Sequence, residues 1–179
     1  MATKPSSSAD DDRTLHLARW TVASGSNTQS RGAVVIASGD HQWEASAEGN
    51  GPIDALYRAV DRAIAEILDG HPHLLAYDIH ALAQGPDAEG RVRVKIAPPS
   101  GGSGQRGAGQ YVGTAHSTNI VAASIEAYIE ALNAMLGESH WAGAAESAGN
   151  RRRARQHHGR RAEFDKKVAE HDSTRWFES

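Results

Sequence analysis

The stretch "EGNGPIDALYRAVDRA", residues 48–63, combines residue types suited to holding a small anion. Two glycines flank Asn50, Pro52 follows, and an amphipathic pattern then begins. The first N–H groups of a helix have no carbonyl partner, and the helix dipole favours negative charge there. The competing reading is a tight strand-to-helix turn in which glycine supplies a positive φ. On residue types alone the turn is favoured. "HSTN", residues 116–119, is a second start of the same kind, where the Ser117 and Thr118 hydroxyls join the backbone donors. Ile53, Ala55, Ile120 and Ala123 are small apolar neighbours of the two starts. Asp78 interrupts an apolar strand. A carboxylate there takes a backbone or arginine partner, or recognises a ligand's ammonium group.

Other constellations are weaker. Of ten histidines, those in "HPH" (71–73) and "HH" (157–158) lack the spacing and carboxylate company of a zinc site, so solvated loops are expected and no metal or other cofactor. His116 beside Ser117, with Asp54 or Asp78 behind, has the composition of a base–hydroxyl pair. Adjacent residues at a strand end point apart, so no catalytic residue is assigned. "RRRARQHHGRR", 151–161, is the one dense basic run. No aromatic residue interleaves it and acids follow in "AEFDKKVAEHD". A solvated helix with i,i+4 ion pairs ranks first, a docking arm second and nucleic acid third.

These groups sit on elements whose periods are legible. The chain has 179 residues, a net charge of −3 and no cysteine. That excludes disulfides and thiol chemistry and gives no global pull toward nucleic acid or membrane. No apolar run spans a bilayer and no signal-peptide core is present, so a cytoplasmic location is expected. Residues 1–12 are polar and aperiodic, a disordered arm. Residues 13–137 carry the branched aliphatics. Residues 138–179 form a charged, partly helical tail whose Phe164, Val168, Trp176 and Phe177 cannot make a core alone.

"TLHLARWTVAS" is expected to be a strand. "GAVVIAS" and "QWEASAE" form a hairpin around "SGDH", with Trp43 and Ala45 on one face. In the helix that follows, Pro52 takes the first position, where its missing N–H costs nothing. Ile53, Leu56, Val60, Ile64, Ile67 and Leu68 form its apolar stripe, and Asp54, Arg58, Asp61 and Arg62 lie opposite. "DGHPH" ends it. "HLLAYDIHALA", "RVRVKIA" and "QYVGTAHS" are three more strands, with Arg91, Arg93 and Lys95 facing water. The loop "PPSGGSGQRGAG" separates the last two. "TNIVAASIEAYIEALNAML" is a second helix with Ile125, Tyr128, Ile129, Leu132 and Leu136 inward. The class is α+β, two pseudo-repeated βββα units. Both helices then lie on one side of a sheet, or the units splay into a dimer.

"AEGNGPIDALYRAVDRA", "LLAYDIHAL", "GRVRVKI" and "STNIVAASIEAYIEALN" together resemble the C-terminal regulatory domain of α-isopropylmalate synthase, shared with citramalate synthase. The resemblance spans roughly residues 14–136. It implies two βββα units that dimerise, bind leucine or isoleucine near the dimer interface, and inhibit a separate TIM-barrel catalytic domain. This sequence departs from the pattern in three ways. The length leaves no room for the barrel. No H-x-H motif followed by catalytic carboxylates is present. The second helix begins "STNI" where the family often has "STDI", so Asn119 replaces an acid.

With the resemblance, the glycine turn is expected to serve as turn and site together. The expected ligand residues are Gly49, Asn50, Gly51, Asp54, Ala55, Asp78, His116, Ser117, Thr118, Asn119 and Ile120. The expected protein is a stand-alone homodimeric module that binds leucine, isoleucine or a related 2-keto acid and acts in trans on a separate synthase subunit. Two other classes stay open: the same fold recruited as a small biosynthetic enzyme, and a purely structural dimerisation module.

Overall fold

The computed structural model describes residues 14–68, 70–99, 109–138, 144–145 and 147–151. The arm 1–12, most of the glycine-rich loop and the basic tail from 152 onward, with His157 and His158, lie outside the described residues.

Alternation produces three strands, β1 (His16–Gly25), β2 (Thr28–Ser38) and β3 (His41–Gly49), followed by α1 (Pro52–Ala63). The order then repeats as β4 (His73–Ala81), β5 (Gly90–Ala97), β6 (Tyr111–Ser117) and α2 (Ile120–Leu136). The fold is α+β, two βββα units. Each unit forms its own antiparallel sheet, β1-β2-β3 and β4-β5-β6, so there is no single sheet for both helices to cover. α1 packs on β2 and β3, and α2 on β5 and β6. The β2–β3 turn passes through Gly39 at φ 53, a left-handed conformation that glycine adopts without penalty.

Register fixes the two faces of each sheet. Val34 and Ile36 pair with Ala45 and Trp43 under α1, and Trp43 is buried. Val92, Val94 and Ile96 lie under α2, while Arg91, Arg93 and Lys95 take the outer face. Two close approaches set the helices down. A Cβ on Gly32 would fall 3.0 Å from the α1 backbone at Ala55 and Leu56. One on Gly113 would strike the α2 backbone at Ala127 and Ala131.

The helices differ from the expectation in two respects. α1 stops at Ala63, and the chain tightens into turns with three-residue bonds, Ala65 N–H to the Arg62 carbonyl at 3.4 Å and Ile67 N–H to that of Ile64 at 2.8 Å. Ile64, Ile67 and Leu68 stay buried all the same. α2 is buried on more than one face: Ala123, Ala127, Ala131 and Met135 join the expected Ile125, Tyr128, Ile129 and Leu132, and Leu136 is half-buried. A helix apolar nearly all round has more than one packing partner. α2 has its own sheet on one side and α1 with β1 on the other. Asn133 clamps the residue just before β1, accepting from the Leu15 N–H at 2.8 Å and donating to its carbonyl at 2.7 Å.

Packing continues past residue 137. Ala148 is fully buried, Ala144 and Ala145 lie against the core, and Arg151 donates to the Glu66 carbonyl at 3.0 Å.

Candidate functional site

Tyr57 of α1 stacks on Tyr128 of α2, with ring centroids 4.4 Å apart and planes 18° from parallel. The Tyr57 hydroxyl donates to the Ser124 carbonyl at 3.0 Å, and the Tyr128 hydroxyl to Asp61 Oδ1 at 2.6 Å. The pairs 57/124 and 61/128 advance together by one turn, so the helices run side by side in the same direction. Both helix starts therefore lie at the same end of the seam.

At the α1 start, Gly51 is the N-cap residue with φ −159 and ψ 171, an extended conformation open to any residue. No side chain caps this end, and the first helical bond runs from the Ala55 N–H to the Gly51 carbonyl at 3.0 Å. A Cβ on Gly51 would meet nothing within 4 Å. Gly49 is the opposite case: its Cβ would fall 2.8 Å from Ala55 Cα and 2.8 Å from Asp54 Oδ2. The positive φ expected of this turn is absent, since positive-φ glycines among the described residues are Gly39, Gly70 and Gly85. Gly49 is required for space and Gly51 leaves space open.

Asp54 holds the turn together. Its Oδ1 accepts from Arg58 Nε at 2.9 Å and its Oδ2 from the Asn50 N–H at 2.9 Å. The Arg58 bond first, and the Asn50 bond second, hold this carboxyl below its ordinary range. An ionised carboxylate thus stands beside N–H groups of Ile53 and Asp54 that no helical carbonyl can reach.

The α2 start is closed. Asn119 is its N-cap, and its Oδ1 accepts from the Val121 N–H at 3.0 Å and the Ala122 N–H at 3.3 Å. Ser117 Oγ accepts from the Asn119 N–H at 3.0 Å. The backbone donors expected to meet a ligand here are largely taken by these two side chains. Thr118 is exposed and makes no hydrogen bond among the described residues. Ala55 and Ala123 are fully buried, so of the four apolar neighbours only Ile53 and Ile120 keep partial exposure.

Two expected residues lie apart from this end. Asp78 pairs with Arg93 and His116 with Arg91 on the outer face of the second sheet, away from α2. Tyr77, the neighbour of Asp78, points inward to Ser124. His116 opposes Arg91 while Ser117 opposes Gly90, so they do not form a base–hydroxyl pair. His71 Nδ1 lies 3.8 Å from Asp61 Oδ2, and no group of three potential metal ligands exists among the described residues. No helix there is long and apolar enough to cross a membrane.

Asp61 was expected on the polar side of α1. It instead turns into the seam, where burial raises its pKa, partly offset by the Tyr128 hydrogen bond and by His71. Burial also pushes the Tyr57 and Tyr128 hydroxyls up, with Tyr77 adding to the first and Asp61 to the second. Ser124 Oγ donates to the Ile120 carbonyl at 2.6 Å, so its bond with the Tyr77 hydroxyl, also 2.6 Å, has the tyrosine as donor. This network ties β4, α1 and the N-terminal half of α2 together. Its sequence signal was a set of tyrosines on otherwise apolar stripes, which need buried partners for their hydroxyls.

A family model described as the LeuA allosteric (dimerisation) domain matches residues 4–136. The chain is 38% identical to a 2-isopropylmalate synthase of Salinibacter ruber over 107 residues, 60% of this chain and 17% of that protein. It is 32% identical to a putative (R)-citramalate synthase of Methanoculleus marisnigri over 126 residues, covering 70% and 23%. With a 2-isopropylmalate synthase of Nitrosococcus oceani it shares 31% over 136 residues, covering 76% and 24%. The chain thus spans about a fifth of the length of the curated relatives it matches. Four motifs in the family's order, two βββα units and a match over most of the chain agree: this chain belongs to the LeuA allosteric (dimerisation) domain family.

Proposed function

We propose that this domain binds a branched-chain amino acid, leucine or isoleucine, or a related 2-keto acid at the start of α1. We infer further that, as a homodimer, it passes that occupancy to an isopropylmalate- or citramalate-type synthase on a separate chain. The observation that carries the reading is the uncapped α1 end with open space above Gly51. A ligand carboxylate there takes the free Ile53 and Asp54 N–H groups through charge-assisted bonds. Asp54 stands ready for the ammonium group, and Ile53 and Ile120 offer apolar surface to a branched side chain. Thr118 adds a hydroxyl from the neighbouring helix start. The homodimer draws support from Leu74, Leu75, Ile79 and Leu82, the exposed large apolar side chains among the described residues, which lie on edge strand β4 or just beyond it.

Calorimetry against leucine, isoleucine and their 2-keto acids tests this reading. Thr118→Ala should cost roughly 1.5–3 kcal/mol of binding, the worth of a hydrogen bond to a charged group. Absence of heat with all four ligands, or a ligand located away from the α1 start, would sink it.

A further inference from the structure

The second sheet carries a feature that the α1 site does not use. Register aligns His80, Arg91 and His116 in one row across β4, β5 and β6, and Asp78, Arg93 and Thr114 in the next. Lys95 continues the β5 column beside Val112. All of these side chains project from the face opposite α2. The rows border a groove of about 420 Å³ lined by Asp78, His80, Arg91, Arg93, Val112 and Thr114. No carboxylate among the described residues forms an ion pair with Arg91, Arg93 or Lys95, although Asp78 stands opposite Arg93. The chain as a whole is net negative, so this face concentrates positive charge against the background of the molecule.

We propose that this outer face is a binding site for a small dianion, a dicarboxylate or a phosphate, separate from the α1 site. Arg91 and Arg93 stand two residues apart on one strand, which spaces them by roughly 6–7 Å. That matches two acidic groups on one small molecule, each met by a guanidinium, or one phosphate held between the pair. Thr114 adds a hydroxyl, and the groove volume is of small-ligand size. A nucleic acid fits less well, because no Phe, Tyr or Trp lies among the groove-lining residues to stack a base. Asp78 opposes an anion and therefore sets an upper limit on affinity.

The test uses the full chain, titrated at constant ionic strength with succinate, inorganic phosphate and acetate, and followed by calorimetry and thermal shift. Succinate or phosphate is expected to bind and acetate not, and the tighter of the two names the acidic group recognised. Arg91→Gln and Arg93→Gln should each weaken binding by about tenfold or more, and Asp78→Asn should strengthen it. These side chains are exposed, so the variants should fold, and leucine binding in Arg93→Gln should be unchanged, which separates this site from the α1 reading. Equal responses to acetate and the dianions, indifference to both arginine variants, or tighter binding of a single-stranded oligonucleotide than of either dianion would each overturn the proposal.

Discussion

Gly49 and Gly51 are two residues apart and should respond oppositely to a side chain. At Gly49 the added Cβ sits 2.8 Å from Ala55 Cα, a backbone atom that cannot swing aside, and 2.8 Å from Asp54 Oδ2. Overpacking of this kind costs about 1–3 kcal/mol. Displacing Asp54 also loosens its bonds to Asn50 and Arg58. Gly49→Ala should therefore lose about 2 kcal/mol, which at a urea slope of about 2 kcal/mol/M is a midpoint shift of about 1 M. At Gly51 the Cβ meets open space and the backbone is already extended. Losing backbone freedom in the unfolded chain stabilises Gly51→Val by about 0.4–1 kcal/mol. Valine is a poorer N-cap than glycine by a similar amount. The two effects cancel to within about 0.5 kcal/mol, a shift under about 0.3 M. Ligand binding should divide the other way, since a valine side chain occupies the space above the first turn. Urea unfolding with tryptophan fluorescence, paired with leucine calorimetry, reads both quantities. If Gly51→Val binds leucine like the wild type, or unfolds as early as Gly49→Ala, the assignment of open space to a ligand is wrong.

Asn133→Ala leaves the Leu15 N–H and carbonyl without the partner they have now, so urea unfolding should show a loss of about 2–3 kcal/mol. Gly113→Ala drives a Cβ into the α2 backbone and should cost about 3 kcal/mol or prevent folding, seen by circular dichroism. Asp61 has a folded pKa raised above its ordinary 3.8, so the folded state holds that proton more tightly than the unfolded chain does. Its contribution to stability therefore falls as pH rises from the ordinary value through the folded one, the reverse of a salt-bridged carboxylate. Asp61→Asn keeps an acceptor for Tyr128 and removes this slope, so its stability relative to wild type should improve between about pH 4 and pH 7; a constant difference across that range would refute the burial argument.

The periods of two and 3.6 residues carried the six strands, the two helices and their order. They did not carry how the units meet. Asp61 lies opposite the Leu56–Val60 stripe on a helical wheel, and a wheel assumes one packing partner. α1 has two, its sheet and α2, so a residue on the polar side of the stripe still faces protein. The small residues Ala127 and Ala131 mark where α2 sits close to β6, a contact set by Gly113 on the strand before it. The closed α2 start was legible: asparagine is a favoured N-cap, and Asn119 stands just before the apolar run. Reading its side chain as a ligand group overlooked the two N–H groups directly beyond it. His116 adjoins the α2 start in the chain, and Asp78 stands out as a carboxylate on an apolar strand, but strand alternation turns each to the far face, opposite Arg91 and Arg93.

The two units repeat each other in order but not at their helix starts. An N-cap side chain contributes about 1 kcal/mol. α2 has one in Asn119, and α1 has glycine at the same place, followed by a proline that fixes the first turn. α2 needs its cap to hold a helix that packs against both units, so its first turn is committed to internal bonds. α1 is anchored instead by Asp54 reaching back to Asn50 and by the close fit of Gly49 on Ala55. That anchoring leaves the Ile53 and Asp54 N–H groups without a partner among the described residues. On the proposed reading, a ligand carboxylate supplies the cap that the sequence omits. The stabilisation it brings reaches the seam through Tyr57, one turn further along α1, and from there Ser124 and Tyr77. On that reading, occupancy at one helix start would bias the contact between the units, which a regulatory domain requires and a purely structural one does not.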